Sequence, residues 1–181
     1  MLLKADQSCF LLIDVQEKLI STIYEHQRLI ANCQWLLSLA DDLRIIKAAS
    51  EQYPKGLGAT VAVLKEFVPN SQVMMKTAFS CAADKTCLES ICALNKEQIV
   101  IAGIEAHVCV LQAALGLTEK GKQVFVVADA ISSRHLDDKE LAIARMRQSG
   151  VEIVSKEMVF FEWLESSTHP RFKELSKKFM R

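Results

Sequence analysis

IVIAGI, residues 99–104, runs straight into EAHVCV, residues 105–110, and this passage from apolar strand through a turn into a helix decides the fold. An apolar run this short cannot cross a bilayer, and without polar alternation it reads as a strand covered on both faces, the habit of parallel sheets. The same change of period recurs along the chain. Strands are expected at 9–14, 44–49, 73–76, 99–102, 124–128 and 152–154. Helices are expected at 24–41, 84–94, 107–120 and 137–149, with two shorter ones near the C-terminus; Gly121 and Gly150 end two of them. Strands alternating with crossover helices predict a three-layer α/β/α sandwich, Rossmann-like, with a mostly parallel sheet of about six strands in one domain over residues 1–181.

Composition narrows the function classes. A chain of 181 residues, half of them hydrophobic, supports a core without metal or disulfide help. Its 22 basic and 22 acidic residues balance, which speaks against nucleic acid or an anionic membrane as a partner. The start, MLLKADQS, has no signal-peptide pattern, so a soluble cytoplasmic protein is expected. Cysteines at 9, 33, 81, 87, 92 and 109 form no CxxC pair and have no histidine at finger spacing, which argues against a zinc site or a redox dithiol; no metal and no cofactor are expected. The terminal RFKELSKKFMR, residues 171–181, reads as a basic amphipathic helix.

Three residues stand at strand ends, the edge where open α/β sheets bind ligands. Asp14 follows Phe10–Ile13 and reads either as a cap for the VQEKL segment or as a partly desolvated general base. Lys76 follows Val73, Met74 and Met75; it is either solvated or set beside an anion. Cys109 falls in the first turn of a helix, where unpaired N–H groups favour a thiolate; otherwise it is a small buried hydrophobe like the other cysteines. Asp129 reads as a turn or cap residue.

LLIDVQEKL (11–19), EQYPKGLG (51–58), KTAFS (76–80), GIEAHVCV (103–110) and DAISSR (129–134) together resemble the isochorismatase-like cysteine hydrolases, closest to the isochorismatase domain-containing subgroup. The resemblance implies Asp14, Lys76 and Cys109 as the catalytic set. It also implies a cis peptide between Ile104 and Glu105 that aims the N–H groups of Glu105 and Cys109 at a developing oxyanion. Asp14 would take the thiol proton, Lys76 would stabilise the thiolate, and a thioester would form on a small amide or related carbonyl compound. The loop after the second strand lacks the histidine of a nicotinamidase metal site.

Glu51, Gln52, Tyr53, Phe79, Glu105 and His107 are candidate substrate contacts. Each also has a plainer reading: Glu51 and Gln52 satisfying loop backbone, Tyr53 and Phe79 in the core, His107 capping the nucleophile's helix. Rival classes are a binding or scaffold protein without turnover, and a redox-sensing thiol with Cys81 as its resolving partner. Some relatives in the subgroup carry a ribonuclease label, which the balanced charge does not support. Family resemblance further implies a homo-oligomer, a dimer or larger, with residues 159–175 either at an interface or over the sheet.

Overall fold

The computed structural model describes residues 1–180, and among them six strands form one all-parallel sheet in the order β3-β2-β1-β4-β5-β6. The strands are β1 (Ser8–Ile13), β2 (Ile46–Gln52), β3 (Val73–Lys76), β4 (Gln98–Ile104), β5 (Gln123–Ser132) and β6 (Glu152–Val154). The helices are α1 (Glu17–Ile20), α2 (His26–Asp42), α3 (Pro54–Leu57), α4 (Ala62–Lys65), α5 (Lys85–Ala93), α6 (Leu111–Glu119), α7 (Leu136–Gln148), α8 (Lys156–Leu164) and α9 (Phe172–Phe179).

Alternation within an all-apolar strand creates the layers. β1 is buried along its whole length. Phe10 and Leu12 face a layer containing Leu36 of α2, Phe160 and Trp163 of α8 and Leu175 of α9. Cys9, Leu11 and Ile13 face the opposite layer, with Ile91 of α5, Leu117 of α6 and Met146 of α7. Each large apolar side chain so removed from water contributes about 1.5–3 kcal/mol. Phe160 and Trp163 are buried and Phe161 is exposed, so the 159–175 segment mainly covers the sheet. Arg181, the last residue of the expected terminal helix, lies outside the described residues.

Several boundaries differ from expectation. β2 begins two residues later than expected and runs on through Glu51 and Gln52, because β3 pairs with it there: Glu51 opposite Met75 and Gln52 opposite Lys76. The expected loop EQYPKGLG therefore contains the end of a strand and the one-turn α3, which has proline in its first turn. β5 continues past residue 128 to Ser132, since Ala130 and Ile131 are themselves buried; its register against β4 shifts between Ile101 and Gly103. Asp129 lies inside that strand, and its Oδ1 accepts a 2.9 Å hydrogen bond from the Lys156 N–H at the start of α8. No helix among the described residues is long and apolar enough to cross a membrane.

Candidate active site

The strand order reverses at β1: the chain moves outward through β2 and β3, then returns to β4 on the other side. A crevice at the carboxyl ends of the strands opens at such a switch point. Ile13 is in register with Ser50 of β2 and Gly103 of β4, so the residues just beyond these three strands meet. Gly103 is needed for that approach: its φ is +126°, and a Cβ there would stand 2.1 Å from the Ile13 carbonyl oxygen.

Asp14 leaves β1 in the left-handed region, φ 51°, and is 1 % exposed. The capping reading of Asp14 fails, because Gln16 holds the position before α1 and the aspartate carboxylate turns inward instead. Its Oδ1 accepts 2.6 Å from the Ser50 hydroxyl, and its Oδ2 accepts 2.7 Å from Lys76 Nζ. Lys76 is not solvated either. It spends its three protons on Asp14, on Gln52 Oε1 at 2.7 Å and on the Phe79 carbonyl at 3.0 Å. Burial works against the ammonium, but the Asp14 carboxylate overrides it and holds Lys76 above the usual lysine value.

Cys109 lies in a π-type turn, Ala106–Val110, that leads from β4 into α6, and the Ile104–Glu105 peptide is cis. The thiol is buried. Burial pushes its pKa well above the ordinary cysteine value, the adjacent Asp14 carboxylate pushes it further, and Lys76 offsets only part of this. The expected thiolate-prone cysteine thus has a raised pKa in the resting site, because burial, reinforced by the Asp14 carboxylate, outweighs the helix start and Lys76. Cys81 is fully buried beside Ser50, with its own pKa pushed up to about 11.

The other candidates divide. Glu51 is buried, and its Oε1 accepts from the Thr60 N–H at 2.7 Å and hydroxyl at 2.9 Å, so it fixes the following loop. Gln52 holds Lys76 and donates 2.7 Å to the Thr77 carbonyl. Tyr53 and Phe79 are not core residues: they are 55 % and 53 % exposed. A cavity of about 330 Å³ opens beside Lys76, between Tyr53–Lys55 and Met75, Thr77 and Asp84. Glu105 pairs with Arg134, Nε to Oε2 at 3.1 Å. His107 does not cap its helix; its Nδ1 lies 2.9 Å from the Ser133 hydroxyl.

Sequence reasoning missed Ser50, Gln16 and Arg134. Gln16 is fully buried, accepting from the Gln52 N–H at 2.8 Å and donating to the carbonyls of Gln52 at 3.0 Å and Gly58 at 2.7 Å. It clamps the segment that presents Gln52 to Lys76. The one signal for Ser50 was a hydroxyl directly before the EQ of a covered strand.

The fold is a doubly wound parallel α/β sandwich with a buried acid–ammonium pair and a thiol at its switch point, on the carboxyl edge of the sheet. Residues 8–158 match the isochorismatase domain model, and the chain belongs to the isochorismatase family of hydrolases. It is 37 % identical over 172 residues to isochorismatase domain-containing protein 2 of Danio rerio, covering 94 % of this chain and 85 % of that one. A MAR1 ribonuclease from Caenorhabditis elegans has the same fold, with a TM-score of 0.91, 35 % identity and coverage of 100 % and 93 %. An octameric hydrolase of unknown specificity from Escherichia coli superposes with a TM-score of 0.87 at 24 % identity, covering 99 % and 97 %.

Proposed function

We propose that the protein is a cysteine-dependent hydrolase acting on a small amide or related carbonyl compound through a thioester at Cys109. The observation that carries this is the ion pair of Asp14 and Lys76, 2.7 Å apart and buried, beside a thiol whose pKa is raised by burial and by the same carboxylate. Asp14 takes the thiol proton as sulfur attacks the carbonyl carbon. The oxyanion that forms is held by the N–H groups of Glu105 and Cys109. Asp14 then passes the proton to the leaving nitrogen, and the C–N bond breaks to leave a thioester. Water gives a proton to Asp14 and attacks the acyl carbon, the C–S bond breaks to release the acid, and Asp14 returns that proton to the departing sulfur. Lys76 has no proton free for substrate, so it acts through its charge and by orienting Asp14.

Tyr53 and Phe79 are the candidate side chains that offer free surface to substrate, whereas Glu51 and Gln52 act on the protein. Neutral overall charge supports a small-molecule substrate over RNA despite the name of the C. elegans relative. Assembly into a dimer or larger ring belongs to the same reading, since the E. coli relative is octameric. A redox role is disfavoured, because both Cys109 and Cys81 are held as thiols rather than thiolates.

Small amides and esters screened against wild type and Cys109→Ala in parallel test the assignment: turnover disappears in the variant while the thermal transition stays. Asp14→Asn makes a second test. It removes the proton acceptor, so it abolishes turnover and slows iodoacetamide labelling of Cys109 roughly tenfold or more. Labelling as fast as in wild type rules the mechanism out.

A further inference from the structure

We propose that Ser50 is a positioning residue of this site, setting the rotation of the Asp14 carboxylate so that it can receive the Cys109 proton. The assignment rests on the reading of Asp14 as the acceptor of that proton. Ser50 lies in β2, fully buried, in register with Ile13. Two hydrogen bonds tie it to Asp14: the Asp14 N–H donates 3.1 Å to the Ser50 carbonyl, and the Ser50 hydroxyl donates 2.6 Å to Asp14 Oδ1. A serine hydroxyl has one proton, and here the carboxylate receives it. Asp14 has turned out of the strand at φ 51°, and its main chain is held by the Ser50 carbonyl on one side and the Gln16 N–H, at 2.8 Å, on the other.

The geometry explains why one partner is not enough. Lys76 alone would leave the carboxylate free to pivot about the contact at Oδ2. With Oδ1 pinned as well, the carboxyl plane is determined, and its remaining lone pairs face the thiol in a constant direction. Gln52 and the Phe79 carbonyl do the equivalent for Lys76, so both ions are oriented from β2 and the loop after β3. The Ser50 hydroxyl donates its proton to Asp14 and only accepts from the neighbouring Cys81 thiol, so it acts on the chemistry through the carboxylate.

The probe is p-nitrophenyl acetate, with the full chain in stopped flow. Sulfur forms a bond to the acetyl carbon, the ester C–O bond breaks, the thiol proton passes to Asp14, and nitrophenolate leaves as the coloured anion. Burst amplitude counts competent folded sites, and burst rate reads the chemistry in each. Ser50→Ala keeps the amplitude and leaves the apparent KM unchanged but slows the burst about tenfold or more. Ser50→Thr, which keeps the hydroxyl, recovers the rate. Ser50→Cys, a weaker donor of similar volume, falls between and serves if the alanine variant does not fold. A burst rate for Ser50→Ala within about twofold of wild type, or a threonine variant as slow as the alanine one, overturns the assignment. Cys109→Ala separates the two levels. A burst that survives in it, or no burst in wild type, sinks the nucleophile and Ser50 with it; loss of the burst alongside an unaffected Ser50→Ala sinks Ser50 alone.

Discussion

Breaking the Lys76–Asp14 pair should cost far more than removing a surface ion pair. The ammonium and carboxylate are 2.7 Å apart with side chains 0 % and 1 % exposed. At an effective dielectric of about 20 their gross attraction is about 6 kcal/mol, much of it offset by the desolvation of both ions. Removing one partner leaves that desolvation uncompensated, so Lys76→Met and Asp14→Asn should each lose roughly 3–5 kcal/mol. The lysine variant should be the worse of the two, because its carboxylate retains only Ser50 while the ammonium in Asp14→Asn retains Gln52 and the Phe79 carbonyl. The double variant has no buried charge left at this position and should lose less than the sum by roughly 2 kcal/mol. Urea unfolding read by far-UV circular dichroism measures all four corners of the cycle. Single losses below about 1 kcal/mol, or additivity within about 0.5 kcal/mol, would refute a buried, coupled pair. Because folding raises the lysine, its contribution is complete below the ordinary value of 10.5 and is lost only as pH climbs through the higher folded value. The gap between wild type and Lys76→Met should therefore be flat from neutral pH to about 10 and narrow beyond it.

Alkali should destabilise the protein earlier than its lysines require. Cys9 and Cys87 are pushed up to about 12, Cys81 to about 11, and Cys33 and Cys109 higher still, each mainly by burial. Above about pH 9 the unfolded chain releases thiol protons that the folded chain keeps, so stability falls by up to about 1.4 kcal/mol per such group per pH unit. A urea midpoint independent of pH between 9 and about 10.5 would contradict the burial of these thiols. Gly103→Ala should cost more than about 3 kcal/mol or prevent folding, since its Cβ would enter the Ile13 backbone. Gly121→Ala, with a φ of +81° but nothing within 4 Å, should cost only about 1 kcal/mol; equal losses in thermal denaturation would show that crowding is not what Gly103 relieves.

What could be read directly from the chain were the properties that neighbouring residues share. Apolar runs such as 9–13 and 99–104 declared covered strands, and the intervening helical periods made the three-layer sandwich the economical solution, because both depend on spacing along the backbone. Strand ends were less legible: β5 passes through Asp129 only because β4 and α8 receive it, a matter of partners distant in sequence. Asp14, Lys76 and Cys109 stood out through their places at strand ends together with the family motifs around them.

Tertiary structure alone decided how those three residues behave. Register between β1 and β2 brings Ser50 onto Asp14, pairing of β2 with β3 sets Gln52 against Lys76, and closure of the crevice puts a carboxylate beside a thiol that local sequence had made thiolate-prone. Sequence by itself determined the layers and which side chains reach the carboxyl edge, since both follow from local periodicity. Protonation and orientation at that edge depend on charges and donors from strands up to 62 positions apart, whose distances exist only once the sheet has formed.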